Sequence, residues 1–168
     1  MKISVLGAGG WGTTLGILLH YNGHQVTLWE YKKNYVKELL KKRINSLYLP
    51  GVPIPEEILI THDLEESVNQ KNIIVLAVPS QFLRSVVEQV KYSDIKNSIL
   101  VSVSKGIENK HLMTMSQMLK DVHPQLNKNQ IGVLSGPSHA EEVSRRIPTA
   151  VVAASVDHDT SKSIQAAF

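Results

Sequence analysis

Short apolar runs alternate with amphipathic stretches along this chain. Ile3, Val5 and Leu6 read as a first strand, Gln25–Trp29 as a second and Ile58–Ile60 as a short third. Ile73–Val78 is an unbroken, mostly β-branched run, the pattern of a central strand covered on both faces. Further strands are predicted at Ile99–Val103, Ile131–Leu134 and Thr149–Ala154. Between them, helical spacing appears at Thr13–Tyr21, 32–43, Gln81–Val90, His111–Lys120 and Ala140–Arg145. In the second of these, Tyr35, Val36, Leu39 and Leu40 share one face. Asp63 can cap a short helix through Val68, and Asp157 or Asp159 a last one reaching Phe168. Gly23 reads as a helix C-cap. This βα alternation specifies an α/β fold with a doubly wound, mostly parallel sheet and right-handed crossovers.

One segment breaks the alternation. Asn45–Pro55 holds three prolines and a glycine, which exclude a helix, and reads as an ordered excursion off the sheet.

The polar punctuation gathers at strand ends: the glycine-rich loop after the first strand, Glu30, Pro79-Ser80, Ser104-Lys105-Gly106, and Gly136 to Ser138. Open α/β sheets bind ligands at the carboxyl ends of their strands. These separated points should therefore line one crevice.

Composition narrows the chemistry. The 168 residues suffice for one domain with a real core. A net charge of +3, without a basic block carrying interleaved aromatics, gives no argument for nucleic acid. With no cysteine, disulfides and thiolate chemistry are excluded. No apolar run is long enough to span a bilayer, so no membrane insertion is expected. The chain enters its first strand without a signal-peptide pattern, and the expected compartment is the cytoplasm. No histidine shows ligand spacing with carboxylates, so no metal is expected.

Gly7, Gly9 and Gly12 fall at G-x-G-x-x-G spacing between a strand and a helix, the context in which the pattern signifies dinucleotide binding. Gly7 would permit the tight turn, Gly9 the approach of a pyrophosphate, and Gly12 the close packing of helix on strand. Glu30 stands 18 residues after Gly12, where a carboxylate can accept from an adenosine ribose and repel a 2′-phosphate. The less favoured alternative is an exposed strand-end carboxylate. Lys32 and Lys33 follow and could offset its charge. NAD is therefore the expected cofactor, with NADP left open. Lys105 stands at a strand end on the same crevice, where an ammonium could stabilise negative charge on an oxygen of a bound substrate; taken alone it reads as a surface lysine. Glu141 and Glu142 read as dipole-favoured residues of a helix start.

Five stretches together carry a family resemblance: Gly7–Gly12, Asn45–Gly51, Val78-Pro79-Ser80, Ser104–Glu108 and Ser135–Glu142. They resemble the N-terminal domain of NAD(P)-dependent glycerol-3-phosphate dehydrogenase, in its bacterial form. The resemblance implies a Rossmann-type domain over residues 1–168. It also implies hydride transfer between NAD(P)H and dihydroxyacetone phosphate, giving sn-glycerol 3-phosphate, a glycerophospholipid precursor. By resemblance, Gly10 and Trp11 contact the cofactor, and Glu30, Tyr31 and Lys32 surround the adenosine ribose. Pro79 and Ala140 also border the cofactor, Lys105 touches both cofactor and substrate, and Gly136 and Ser138 touch the substrate. Family members carry a second, helical domain that supplies another lysine and grips the substrate phosphate. That domain is absent from residues 1–168, so the isolated chain is expected to bind cofactor with little turnover; a homodimer of the full-length form is left open. The competing readings are a related hydroxy-acid or sugar-acid dehydrogenase, a stand-alone NAD-binding redox sensor, and, less favoured, an S-adenosylmethionine-dependent methyltransferase.

Overall fold

A computed structural model describes all 168 residues. Seven strands form one sheet: β1 (Lys2–Leu6), β2 (Gln25–Trp29), β5 (Leu59–Thr61), β6 (Ile73–Leu76), β7 (Ile99–Ser102), β8 (Ile131–Ser135) and β9 (Val152–Ala154). Their spatial order is β5-β2-β1-β6-β7-β8-β9. Chain order runs outward in one direction from β1 and in the other from β6, so the topological switch point lies between them, beside the loop that follows β1. All pairings are parallel except β8 with β9.

Side chains alternate across the sheet, as strand geometry requires. Ile3, Val5, Ile73, Val75 and Val101 enter one apolar cluster. Leu6, Ile74, Leu76 and Leu100 enter the other. The first cluster is closed by α1 (Gly10–Tyr21), α2 (Lys33–Lys42) and α8 (His158–Ala167). The second is closed by α3 (Leu64–Val68), α4 (Ser80–Val87), α5 (Tyr92–Ile95) and α6 (Met115–Val122). No helix is long and apolar enough to cross a membrane.

Several expectations are refined by the structure. The excursion is a small antiparallel hairpin of β3 (Ile44–Asn45) and β4 (Leu49–Pro53), separate from the main sheet. The expected helix His111–Lys120 begins later: the side chain of Thr114 accepts from Gln117 N, the Gln117 side chain accepts from Thr114 N, and this capping box starts α6. Residues before it form a loop closed by Glu108 N donating to Met113 O at 2.8 Å. The last strand covers only Val152–Ala154 and is antiparallel to β8. The reason lies in α7 (Ala140–Ser144), which packs against α1 at the carboxyl edge instead of crossing back along the sheet. A parallel return needs that crossover, and without it the chain comes back in the opposite sense. Of the two candidate caps for α8, Asp157 serves, accepting from Thr160 N at 2.8 Å. Asp63 caps α3, accepting from Glu66 N at 3.0 Å.

Candidate functional site

The glycine loop joins β1 to α1 at the switch point. Gly7 has φ +109°, and a β-carbon there would stand 3.0 Å from the Ala77 carbonyl. At Gly12 a β-carbon would overlap the Gly7 carbonyl oxygen and press on Ala77. These two glycines let β1, α1 and the end of β6 meet. Gly9 differs: nothing lies within 4 Å of a β-carbon there. Its freedom faces open space, which is what a ligand approaching the backbone requires. Gly9 is the N-cap of α1 without a side-chain cap, and the first turn holds no acidic residue. The positive end of α1 is therefore neither capped by a side chain nor offset by an acidic residue in its first turn, and its amides suit an anion. These features fit a dinucleotide pyrophosphate.

Beyond the loop, a cleft at the carboxyl edge has two lobes, of about 430 and 320 Å³. Trp11, Val103, Ser104, Lys105 and Ser138 line both. Gly136 belongs to one lobe; Pro79, His139 and Ala140 belong to the other. The exposed Lys105 donates from Nζ to the Ser138 carbonyl oxygen at 3.1 Å. Thr14 Oγ1 donates to the Ala140 carbonyl oxygen at 3.2 Å, tying α1 to α7. Ser104 Oγ donates to Val78 O at 2.6 Å, fixing the ends of β6 and β7 against each other. Of the strand-end points predicted to converge, Pro79, Ser104, Lys105, Gly136 and Ser138 meet around Trp11, whereas Glu30 does not join them.

Glu30, Tyr31 and Lys32 lie outside this cleft, at the end of β2 on the other side of the glycine loop. The exposed-carboxylate reading of Glu30 does not hold: its residue is 6% exposed, and Oε1 accepts from Lys32 N at 3.0 Å. Burial raises its pKa above the usual carboxylate value, against the opposing pull of the Lys32 amide and charge. Tyr31 is exposed, with the Lys32 ammonium 5.3 Å from its ring centre.

Sequence reasoning gave no role to the residues that brace the Lys105 loop. Gln81 Nε2 donates to Ile107 O at 2.7 Å, and Gln81 Oε1 accepts from Asn109 N at 3.1 Å. Arg84 holds Glu108 bidentately at 2.6 and 3.0 Å and reaches Asp121 at 2.7 Å. The guanidinium pulls the Glu108 carboxyl down to about 2. His111 Nδ1 lies 3.0 Å from the same carboxylate. Only the Thr114–Gln117 capping signal was available in the sequence to mark where this loop ends.

Residues 2–161 match the model of the NAD-dependent glycerol-3-phosphate dehydrogenase N-terminus family. The chain belongs to this family. Among its relatives, a glycerol-3-phosphate dehydrogenase (NAD(P)+) of a Thermoanaerobacter species is 49% identical over all 168 residues, which cover 49% of that protein. The protein of the same name from Syntrophotalea carbinolica is 46% identical, and the chain covers 50% of it. The chain therefore spans about half the length of the curated relatives it matches. A solved glycerol-3-phosphate dehydrogenase from Coxiella burnetii superimposes with a TM-score of 0.90 at 31% identity, covering 99% of this chain and 50% of that one. The superposition shows that this chain shares the fold of that domain.

Proposed function

We propose that residues 1–168 form the dinucleotide-binding domain of a glycerol-3-phosphate dehydrogenase that takes NAD, with NADP left open as a second cofactor. The observation that carries this reading is the meeting of Trp11, Lys105 and Ser138 in one cleft beside the uncapped start of α1. Relatives of twice this length bear the enzyme's name, which supports the same reading.

In this proposal the amides opening α1 hold the pyrophosphate, and Gly9 leaves the space it needs. Glu30, Tyr31 and Lys32 surround the adenosine ribose. Trp11, Pro79 and Ala140 border the nicotinamide end. When bound, the nicotinamide supplies the hydride exchanged with the carbonyl carbon of dihydroxyacetone phosphate. Lys105 places a positive charge where the substrate oxygen becomes negative, and such placed charge acts strongly where water is excluded. Its bond to Ser138 O fixes the ammonium against the loop whose Gly136 and Ser138 touch the substrate. The proton donor and the grip on the substrate phosphate come from a further domain beyond residues 1–168.

Calorimetric titration of the chain with NADH tests the cofactor half of the reading: saturable one-to-one binding is expected, and its absence refutes it. Adding the second half of a close relative tests the rest. Dihydroxyacetone phosphate-dependent NADH oxidation is expected only in the joined protein.

A further inference from the structure

The hairpin β3–β4 is the one motif of the resemblance that the proposed function leaves without a task. Its Asn45 is fully buried, and every hydrogen-bonding position of its amide is used. Nδ2 donates to the Ala8 carbonyl oxygen at 2.8 Å and to Thr13 Oγ1 at 2.7 Å. Oδ1 accepts from Tyr35 Oη at 2.6 Å and from Tyr48 N at 3.1 Å.

Ala8 lies between the first two glycines of the loop, and Thr13 follows the third. One side chain thus grips both ends of the segment whose amides open α1. Thr13 N also donates to Gly9 O at 2.9 Å, so the grip on Thr13 passes to the loop's middle. On its other side Asn45 holds the hairpin through Tyr48, and α2 through Tyr35. The hairpin in turn presses on the loop: a β-carbon at Gly10 would stand 2.6 Å from the Tyr48 carbonyl oxygen.

We infer that Asn45 is a positioning residue for cofactor binding: it fixes the glycine loop in the geometry that presents its amides to a pyrophosphate, without touching the cofactor itself. The inference rests on the dinucleotide reading above. Its physical basis is preorganisation. A loop of three glycines has unusual backbone freedom, and every state it samples away from the binding geometry weakens binding. The saturated amide removes those states before the ligand arrives. Asparagine is suited to this because it supplies two donors and two acceptors on one short, rigid stem. Asp cannot replace it: both donors toward Ala8 O and Thr13 Oγ1 disappear, and a carboxylate would face a carbonyl oxygen.

The test is NADH affinity of the 168-residue chain, measured by calorimetry well below the unfolding temperature. Asn45→Asp is expected to weaken NADH binding by about tenfold or more, with the fold retained by circular dichroism. Ile95→Ala serves as the control, because Ile95 is buried near the amino-terminal start of β7, away from the loop. It should lower the melting temperature and leave the affinity within about twofold, since distant sites act independently. Loss of affinity in Asn45→Asp alone supports the inference. Equal loss in both variants, or unchanged affinity in Asn45→Asp, overturns it. Should Asn45→Asp not fold, Tyr35→Phe decides: it removes one anchor of Oδ1, together with the long contact from Leu47 N at 3.4 Å, and unchanged affinity there overturns the inference, whereas a loss of about two- to fivefold supports it. Failure of the unaltered chain to bind NADH refutes the dinucleotide reading instead.

Discussion

Lys105 and Ser138, 33 positions apart, are joined by a hydrogen bond of 3.1 Å from the lysine Nζ to the serine main-chain carbonyl oxygen. The bond ties the loop after β7 to the loop after β8 and holds the ammonium at the mouth of the cleft. Its partner there is a main-chain oxygen, not a carboxylate.

Lys105→Ala, in a protein carrying both halves, is expected to lower turnover by roughly 10²–10³-fold, the scale seen when one preorganised stabiliser of developing charge is removed. NADH affinity should fall far less than turnover, because the glycine loop assigned to the pyrophosphate is untouched. Steady-state kinetics beside an NADH titration read both. Near-normal turnover would remove Lys105 from the reaction.

Two of the loop glycines should fail in different ways. A methyl at Gly12 meets a backbone carbonyl and cannot be relieved by rotating a side chain. Gly12→Ala is expected to destabilise the domain by about 1–3 kcal/mol, the range for overpacking. Gly9→Val projects into open space from an ordinary backbone conformation, φ −71°. It should leave stability within about 0.5 kcal/mol while abolishing NADH binding. Thermal melts and titration of the two variants check the contrast. A stable Gly9→Val chain with unchanged affinity would show that no pyrophosphate lies there.

Glu30 is buried with its carboxylate held by the Lys32 amide, at the end of β2. A fixed negative charge there disfavours a second phosphate on the ribose, although the neighbouring Lys32 works in the opposite direction. NADH should therefore bind more tightly than NADPH, and Lys32→Glu should widen the gap. Competitive titration with the two cofactors settles the order, and tighter NADPH binding sinks the assignment.

The Arg84–Glu108 pair predicts a pH dependence. Glu108 titrates near 2 in the fold against an ordinary value of 4.5, chiefly through its hydrogen bonds to Arg84. A depressed folded value means that the pair's stabilisation is fully present above pH 4.5 and is lost as pH falls toward 2. Glu108→Gln should be less stable than the unaltered chain at neutral pH, and the difference should shrink across that acid window. Urea melts at a series of pH values measure it. A constant difference down to pH 2 would contradict the assignment.

Much of this was legible because the signals were local. The glycine spacing, the β-branched run from Ile73, which forms β6 as far as Leu76, and the caps Asp63 and Asp157 each act within a few residues, and each reappears in the fold. The antiparallel β9 was not legible: its direction depends on α7 packing on α1, which no periodicity around Thr149–Ala154 encodes. The burial of Glu30 was equally hidden, since a strand-end carboxylate looks the same whether solvent or a neighbouring loop covers it. Asn45 stood in the proline-rich excursion and in one of the resembling stretches, with no role of its own; its four partners come from α2, the hairpin and both ends of the glycine loop.

By itself, the sequence determined the elements, the doubly wound sheet and the strand ends at which chemistry could gather. It did so because hydrophobic periodicity and turn chemistry are short-range properties of the chain. The tertiary structure alone decided which strand-end groups touch, which charges are buried, and that the glycine loop is held from outside by Asn45. Those outcomes depend on distances between residues tens of positions apart, and only the packed sheet sets such distances.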